Sequence, residues 1–118
     1  MNIVIMSGYV ATEPVISIVN DSKVMKFRIA VRRTKETTDF FNVEVWDKPI
    51  EYLEGILRKG VKCVINGSLR ANEYTDRLGN KKTWYTIRAY QIDLFIPKQE
   101  ETEEEEVEED EFDEFLDV

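Results

Sequence analysis

The run Phe40-Phe41-Asn42-Val43-Glu44-Val45-Trp46-Asp47-Lys48-Pro49-Ile50-Glu51-Tyr52-Leu53 changes its hydrophobic period at its centre. Up to Trp46 the residues alternate, with Phe41, Val43 and Val45 on one face and Phe40, Asn42, Glu44 and Trp46 on the other, the period-2 signature of a strand. From Asp47 the period lengthens. Asp47 is placed as an N-cap and Pro49 falls in the first turn, where its missing N–H costs nothing. Ile50, Leu53, Ile56 and Leu57 make an apolar stripe at helical spacing, and Arg58-Lys59-Gly60 closes it with cations at the negative end of the helix dipole and a glycine beyond.

Towards the N-terminus, Val24 to Arg33 alternates in the same way: Phe27, Ile29 and Val31 face one side, Lys26, Arg28, Ala30 and Arg32 the other. Asn20-Asp21-Ser22 supplies a turn before it, and Thr34 to Thr38 a polar turn after it. Ile3 to Val10 is rich in β-branched residues, with Gly8 marking a bend or close backbone approach. Glu13-Pro14 interrupts this run and Val15 to Val19 resumes it. Towards the C-terminus, Val61 to Tyr74 reads as a long strand kinked at Gly67, Asp76 to Lys82 as a basic hairpin loop, and Trp84 to Ile96 as the last strand. Long kinked strands in a small domain favour closure, which removes exposed edges. The expectation is an all-β, five-stranded barrel with one short helix between strands 3 and 4, the OB-fold arrangement.

The 118 residues suit one domain. The formal net charge of −8 would by itself argue against a polyanionic partner, but the charge is unevenly spread. Residues 99–118 hold 13 acidic residues and no basic ones, leaving 11 acids against all 16 bases in residues 1–98, a net of +5. The chain therefore divides into a mildly basic domain, 1–98, and an acidic tail, 99–118, which has too little apolar surface to fold alone and is expected to be disordered.

Composition excludes much chemistry. Without histidine there is no Ser-His-Asp or Cys-His catalysis and no His-ligated metal. The body's acids are scattered, so no preorganised carboxylate–metal nuclease site is visible. No catalytic residue, metal or cofactor is expected. Cys63, the one cysteine, lies in an apolar run and is expected to be buried and inert. A single cysteine suits a reducing compartment, and no apolar run nears the roughly 20 residues that span a bilayer. With no signal peptide at the N-terminus, a cytoplasmic location without membrane association is expected.

The outward strand faces carry the functional signal. Phe40 and Trp46 occupy a face that alternation assigns to solvent, and further on Tyr74 shares parity with Arg70 and Asn72, and Trp84 with Thr86, Arg88 and Tyr90. Aromatics interleaved with cations are what unpaired nucleic acid requires: rings stack on bases at about 1–3 kcal/mol each, and cations follow the phosphates. Two readings are open for Phe40, Trp46, Tyr74 and Trp84, namely base stacking, or capping the barrel and filling a subunit interface. Tyr9, Tyr52, Tyr90 and Phe95 are assigned to packing. Arg28, Arg32, Arg33, Lys35, Arg70, Arg77, Lys81 and Lys82 are the candidate phosphate ligands, against the alternative of a solvated face.

These residues resemble a known family. Phe27-Arg28-Ile29-Ala30-Val31, Asp39 to Trp46, Leu57-Arg58-Lys59-Gly60, Ile65-Asn66-Gly67-Ser68-Leu69-Arg70 and Tyr74 to Lys81 are similar, in order and spacing, to the bacterial and phage single-stranded DNA-binding proteins. The resemblance covers residues 1 to about 96. It implies an OB barrel that assembles as a homotetramer, with a dimer as the alternative, and on which DNA wraps. It also implies stacking by Phe40, Trp46 and Tyr74, and an acidic tail that recruits replication, recombination and repair proteins. There are departures. The turn at Thr34–Thr38 is shorter than usual, the Gly/Pro/Gln-rich linker is nearly absent, and the tip Asp113 to Val118 lacks the usual Pro-Phe ending. Such a compact version suits a phage-encoded as well as a cellular protein.

Phe112, Phe115, Leu116 and Val118 punctuate the acidic run. They fit a docking peptide, with Phe112, Phe115 and Leu116 as apolar anchors, better than a purely solvating tail. The tail is also placed to compete with DNA for the basic face. The leading reading is a sequence-independent, non-enzymatic binder that protects single-stranded DNA; the alternative is an RNA-binding OB module, since the residues alone do not discriminate a 2′-hydroxyl.

Overall fold

The computed structural model describes residues 1–95, so the tail 99–118, with Phe112, Phe115 and Leu116, lies outside the described residues. The elements run β1 Val4–Val10, β2 Val15–Val19, β3 Ser22–Arg32, β4 Thr38–Trp46, α1 Ile50–Leu53, β5 Lys62–Thr75 and β6 Lys81–Phe95. Five strands close a ring: β1 pairs with β5, β5 with β6, β6 with β4, β4 with β3, and β3 returns to β1. All these pairings are antiparallel except β4–β6, which is parallel.

The anticipated barrel is present, with one strand more. The apolar run from Ile3 to Val19 divides at residues 11–14, and both halves pair with β3: Val10 lies opposite Ile29 and Val15 opposite Lys26. They form one bent strand region counted as two, so the helix stands between β4 and β5. On the outer edge of β3, β2 forms a β2–β3 ribbon along Ser22–Lys26, of which Val24–Lys26 also pair with β4, and the β2 residues are all exposed.

Alternation places the core as expected. Phe27, Ile29, Val43, Val45, Ile65, Ile87 and Ile92 fill the barrel, and Ile50, Leu53 and Leu57 close one end. Truncating Ile65, which is fully buried, to alanine would remove transfer energy and leave a cavity, at about 2–5 kcal/mol.

The helix is shorter than the period predicts. It is a single turn, Ile50–Leu53, with Pro49 rather than Asp47 at the N-cap and no side-chain cap. Asp47 sits at φ 59° and its Oδ1 accepts the Lys23 N–H at 3.0 Å, so it ties the turn to β3 instead of capping a helix. Gly55 at φ 88° ends the helical path, yet the bond from Leu57 N–H to the Leu53 carbonyl keeps Leu57 in the core. Ile56, the third residue of the apolar stripe, is left exposed.

Both strand glycines are required by close approach. A Cβ at Gly8 would strike the Ala30 carbonyl, and one at Gly67 the Arg88 carbonyl and the Ala89 Cα. Gly67 also marks the predicted kink: the β5–β6 register shifts between Asn66 and Gly67, which lets both strands bend around the barrel.

Candidate nucleic-acid interface

Strand register brings the outward residues together. Across β3–β4, Ala30 lies opposite Phe40, Arg28 opposite Asn42, Lys26 opposite Glu44 and Val24 opposite Trp46. The parallel pairing then sets Glu44 opposite Arg88. Across β5–β6, Ser68 faces Arg88, Arg70 faces Thr86, Asn72 faces Trp84 and Tyr74 faces Lys82. Paired residues point the same way, so one surface runs from Arg28 and Phe40, across Glu44 and Arg88, to Trp84 and Tyr74.

The candidate rings all lie on this surface, in two settings. Tyr74 and Trp84 are 51% and 43% exposed and meet edge to face, with centroids 5.3 Å apart and planes at 63°. Phe40 and Trp46 are half-buried and each carries a guanidinium: Arg28 lies 5.0 Å from the Phe40 centroid and Arg88 5.3 Å from that of Trp46. Phe40 also packs on Ala30, which is buried although its parity is outward.

The cations divide into groups. Arg28 and Arg70 lie on the sheet. Arg32, Arg33 and Lys35 occupy the β3–β4 turn region, where Arg33 Nε pairs with Asp39 Oδ2 at 3.2 Å. Arg77 is in the β5–β6 turn, and Lys81 and Lys82 open β6. Because β4 and β6 run parallel, with Val43 opposite Ile87, both strands begin at the same end of the sheet. The two cationic turns therefore emerge from that end. The β5–β6 turn is held by Asp76, whose Oδ1 accepts the N–H groups of Leu78 and Asn80 at 2.9 Å each.

Some residues were missed or misassigned from sequence. Lys26 and Arg88 lie on the same outward surface but were not among the candidate ligands. Arg88 shares Trp84's parity, which was the available signal; its partnership with Glu44, Nη2 to Oε1 at 3.6 Å, depends on the parallel pairing. Trp46 Nε1 and Arg88 Nε are buried there without an acceptor among the described residues. Tyr52, Tyr90 and Phe95 are more than half exposed, against their assignment to packing. Tyr90 keeps the outward parity of Trp84 up to the register shift, and its hydroxyl meets Ser68 Oγ at 2.8 Å. Cys63 is buried, and desolvation pushes its thiol up to about 12, which leaves it protonated and unreactive.

An open surface of rings and cations on a closed barrel defines a class, a binding face for an extended anionic ligand with flat groups, and the sequence comparisons specify which. Residues 1–95 match the model of the single-strand binding protein family, and the chain belongs to that family, whose members bind DNA without catalysing a reaction. The chain is similar to "Single-stranded DNA-binding protein 1" of Nostoc sp., 35% identical over 104 residues that cover 85% of this chain and 87% of the relative. It is also similar to the "Single-stranded DNA-binding protein" of Fusobacterium nucleatum, 29% identical over 79% of this chain and 66% of that one. "Single-stranded DNA-binding protein 2" of Listeria monocytogenes is 27% identical over 87% of this chain and 69% of its own. No helix among the described residues is long and apolar enough to cross a membrane.

Proposed function

We propose that the chain binds single-stranded DNA without sequence readout across the surface that joins Phe40, Trp46, Tyr74 and Trp84, protecting unpaired strands during replication, recombination and repair in the cytoplasm. The observation that carries this reading is the continuity of the surface: register alone links four aromatics and their flanking cations across β3, β4, β6 and β5. Bases stack on the rings, and Arg28, Arg70 and the turn cations Arg32, Arg33, Lys35, Arg77, Lys81 and Lys82 neutralise phosphates. A titration with oligo-dT at several salt concentrations, followed by tryptophan fluorescence, tests it. Emission from Trp46 and Trp84 should fall on binding, and affinity should fall with salt at a slope of about −0.7 per phosphate neutralised. Absence of both effects refutes the reading, and equal affinity for matched RNA would favour an RNA-binding module instead.

The protein works as a homo-oligomer, a tetramer by resemblance to the family. Supporting this, β1 pairs with β3 only at Tyr9 and Val10, which leaves the Val4–Gly8 edge open beside Ile3 and Ile5, 60% and 66% exposed. Ile5→Lys should dissociate the assembly in sedimentation. The acidic tail recruits replication and recombination proteins through Phe112, Phe115 and Leu116; its charge pattern supports this reading.

A further inference from the structure

A groove of about 520 Å³ opens on the binding surface, between the base of the β2–β3 ribbon and the β5–β6 hairpin. Trp84 supplies an aromatic wall, Lys26 and Arg28 supply cations, and Glu44, Asn72 and Thr86 supply polar groups. The polar groups are unusual for a surface that meets phosphates. Glu44 is an anion with a side chain only 15% exposed, and its described partner, Arg88 Nη2, lies at 3.6 Å, beyond good hydrogen-bond length. Asn72 donates from Nδ2 to the Trp84 carbonyl at 3.4 Å and to Thr86 Oγ1 at 3.1 Å. A carbonyl can only accept, so this contact fixes the amide and leaves Asn72 Oδ1 as an acceptor. The groove thus pairs an aromatic wall with acceptors that lack good donors, Glu44 and Asn72 Oδ1 among them.

An acceptor-rich pocket discriminates among bases. Cytosine, adenine and guanine each carry an exocyclic amino group; thymine and uracil carry none and place a carbonyl where cytosine has its amino group, so a carboxylate accepts from the first set and repels that carbonyl. We propose that this groove holds one unpaired base and that Glu44, assisted by Asn72, accepts a hydrogen bond from its exocyclic amino group, which biases an otherwise sequence-independent surface towards amino-bearing bases over thymine and uracil. The inference rests on the single-strand reading above and adds a base preference to it. Lys26 and Arg28, on the neighbouring strand, hold the phosphates that flank the base and offset the charge of Glu44.

The test compares oligo-dC with oligo-dU of equal length, which differ in the Watson–Crick edge and not in ring size, on the full chain at neutral pH and fixed salt. Glu44→Gln removes the anion and supplies a donor. Loss of the negative charge raises affinity for both oligomers alike, so the ratio of the two affinities isolates recognition of the amino group. The dC:dU ratio should fall on the order of five- to tenfold in Glu44→Gln. An unchanged ratio overturns the proposal and leaves Glu44 as the electrostatic mate of Arg88, with single-strand binding intact. If the wild-type chain binds neither oligomer, the reading beneath the proposal falls with it. Should Glu44→Gln not fold, Asn72→Ser gives the second measurement: its ratio should fall in the same direction, and an unchanged ratio again overturns the proposal.

Discussion

Replacing Trp84 by alanine separates stacking from charge at one position. Trp84 is 43% exposed, and its described ring partner is Tyr74, met edge-on at 5.3 Å. The ring therefore retains open surface for a base. One stacked base is worth about 1–3 kcal/mol, so the loss of Trp84 should weaken oligo-dT binding by roughly 5- to 150-fold. A single base on a single ring puts the expected value near the middle, about 30-fold. Stability should fall modestly, the edge-to-face contact with Tyr74 being worth about 0.5–1.5 kcal/mol. Indole carries no charge, so the slope of log affinity against log salt should match the wild type. Fluorescence anisotropy of a labelled oligo-dT at several salt concentrations gives affinity and slope together, and a thermal melt reports stability. In the same variant, residual tryptophan quenching comes from Trp46 alone. Wild-type affinity in the variant would refute stacking at Trp84. A changed slope would show that the ring instead positions a cation, Lys82 being the nearest in sequence.

Three further outcomes are expected. Cys63 should resist thiol reagents at pH 8 in the native state and react on denaturation; because burial raises the folded thiol above its ordinary value of 9.0 to about 12, its contribution to stability is complete below pH 9 and is lost as pH rises towards 12. Gly67→Ala should destabilise the fold by about 2–3 kcal/mol in a chemical denaturation, since the new methyl meets backbone atoms of β6 that have no rotamer to yield; a neutral substitution would mean that the close approach at Arg88 relaxes freely. Deleting residues 99–118 should tighten oligo-dT binding and flatten its dependence on competing salt; unchanged affinity would show that the tail does not compete for the basic face.

Legibility from sequence followed locality. The inward and outward faces of β3 and β4 could be assigned because alternation is a property of consecutive residues, and the kink at Gly67 because glycine in a strand has few other uses. The helix was overextended because Ile50, Leu53 and Leu57 are buried at helical spacing although only Ile50–Leu53 is helical; the turns that follow deliver Leu57 to the same place. Asp47 looked like a cap because an aspartate before Pro49 usually is one, and nothing local shows that its carboxylate turns to Lys23. The link between Glu44 and Arg88 was out of reach for a different reason. It depends on β4 and β6 running parallel, a pairing between distant segments that no periodicity records. Parity held as far as Tyr90, which is exposed like Trp84, and failed beyond it, because the register shift resets the faces so that Ile92, of the same parity, is buried.

The cations on Phe40 and Trp46 bear on how the surface works. Phe40 and Trp46 are half-buried, and a ring left partly open on a sheet face is a liability, since it can pack on any apolar surface. A guanidinium at 5.0 Å from Phe40 or 5.3 Å from Trp46 covers it with a hydrated charge and is held there by the ring's quadrupole. Arginine suits the position better than lysine, because its planar group stacks on a ring and also forks onto a phosphate. On the proposed single-strand reading, base and phosphate would replace the two halves of that contact: the base would take the ring and the phosphate the cation, which has only a short distance to move. The exchange loses about 0.5–2 kcal/mol of cation–π attraction at each ring and gains stacking of about 1–3 kcal/mol together with release of phosphate counterions. Tyr74 and Trp84 carry no such lid in the described structure, being paired with each other, so they lose less on binding. On that proposed reading, the bare rings on the β5–β6 hairpin would suit first capture of a strand, and the arginine-covered rings on β4 holding it once its phosphates are in place.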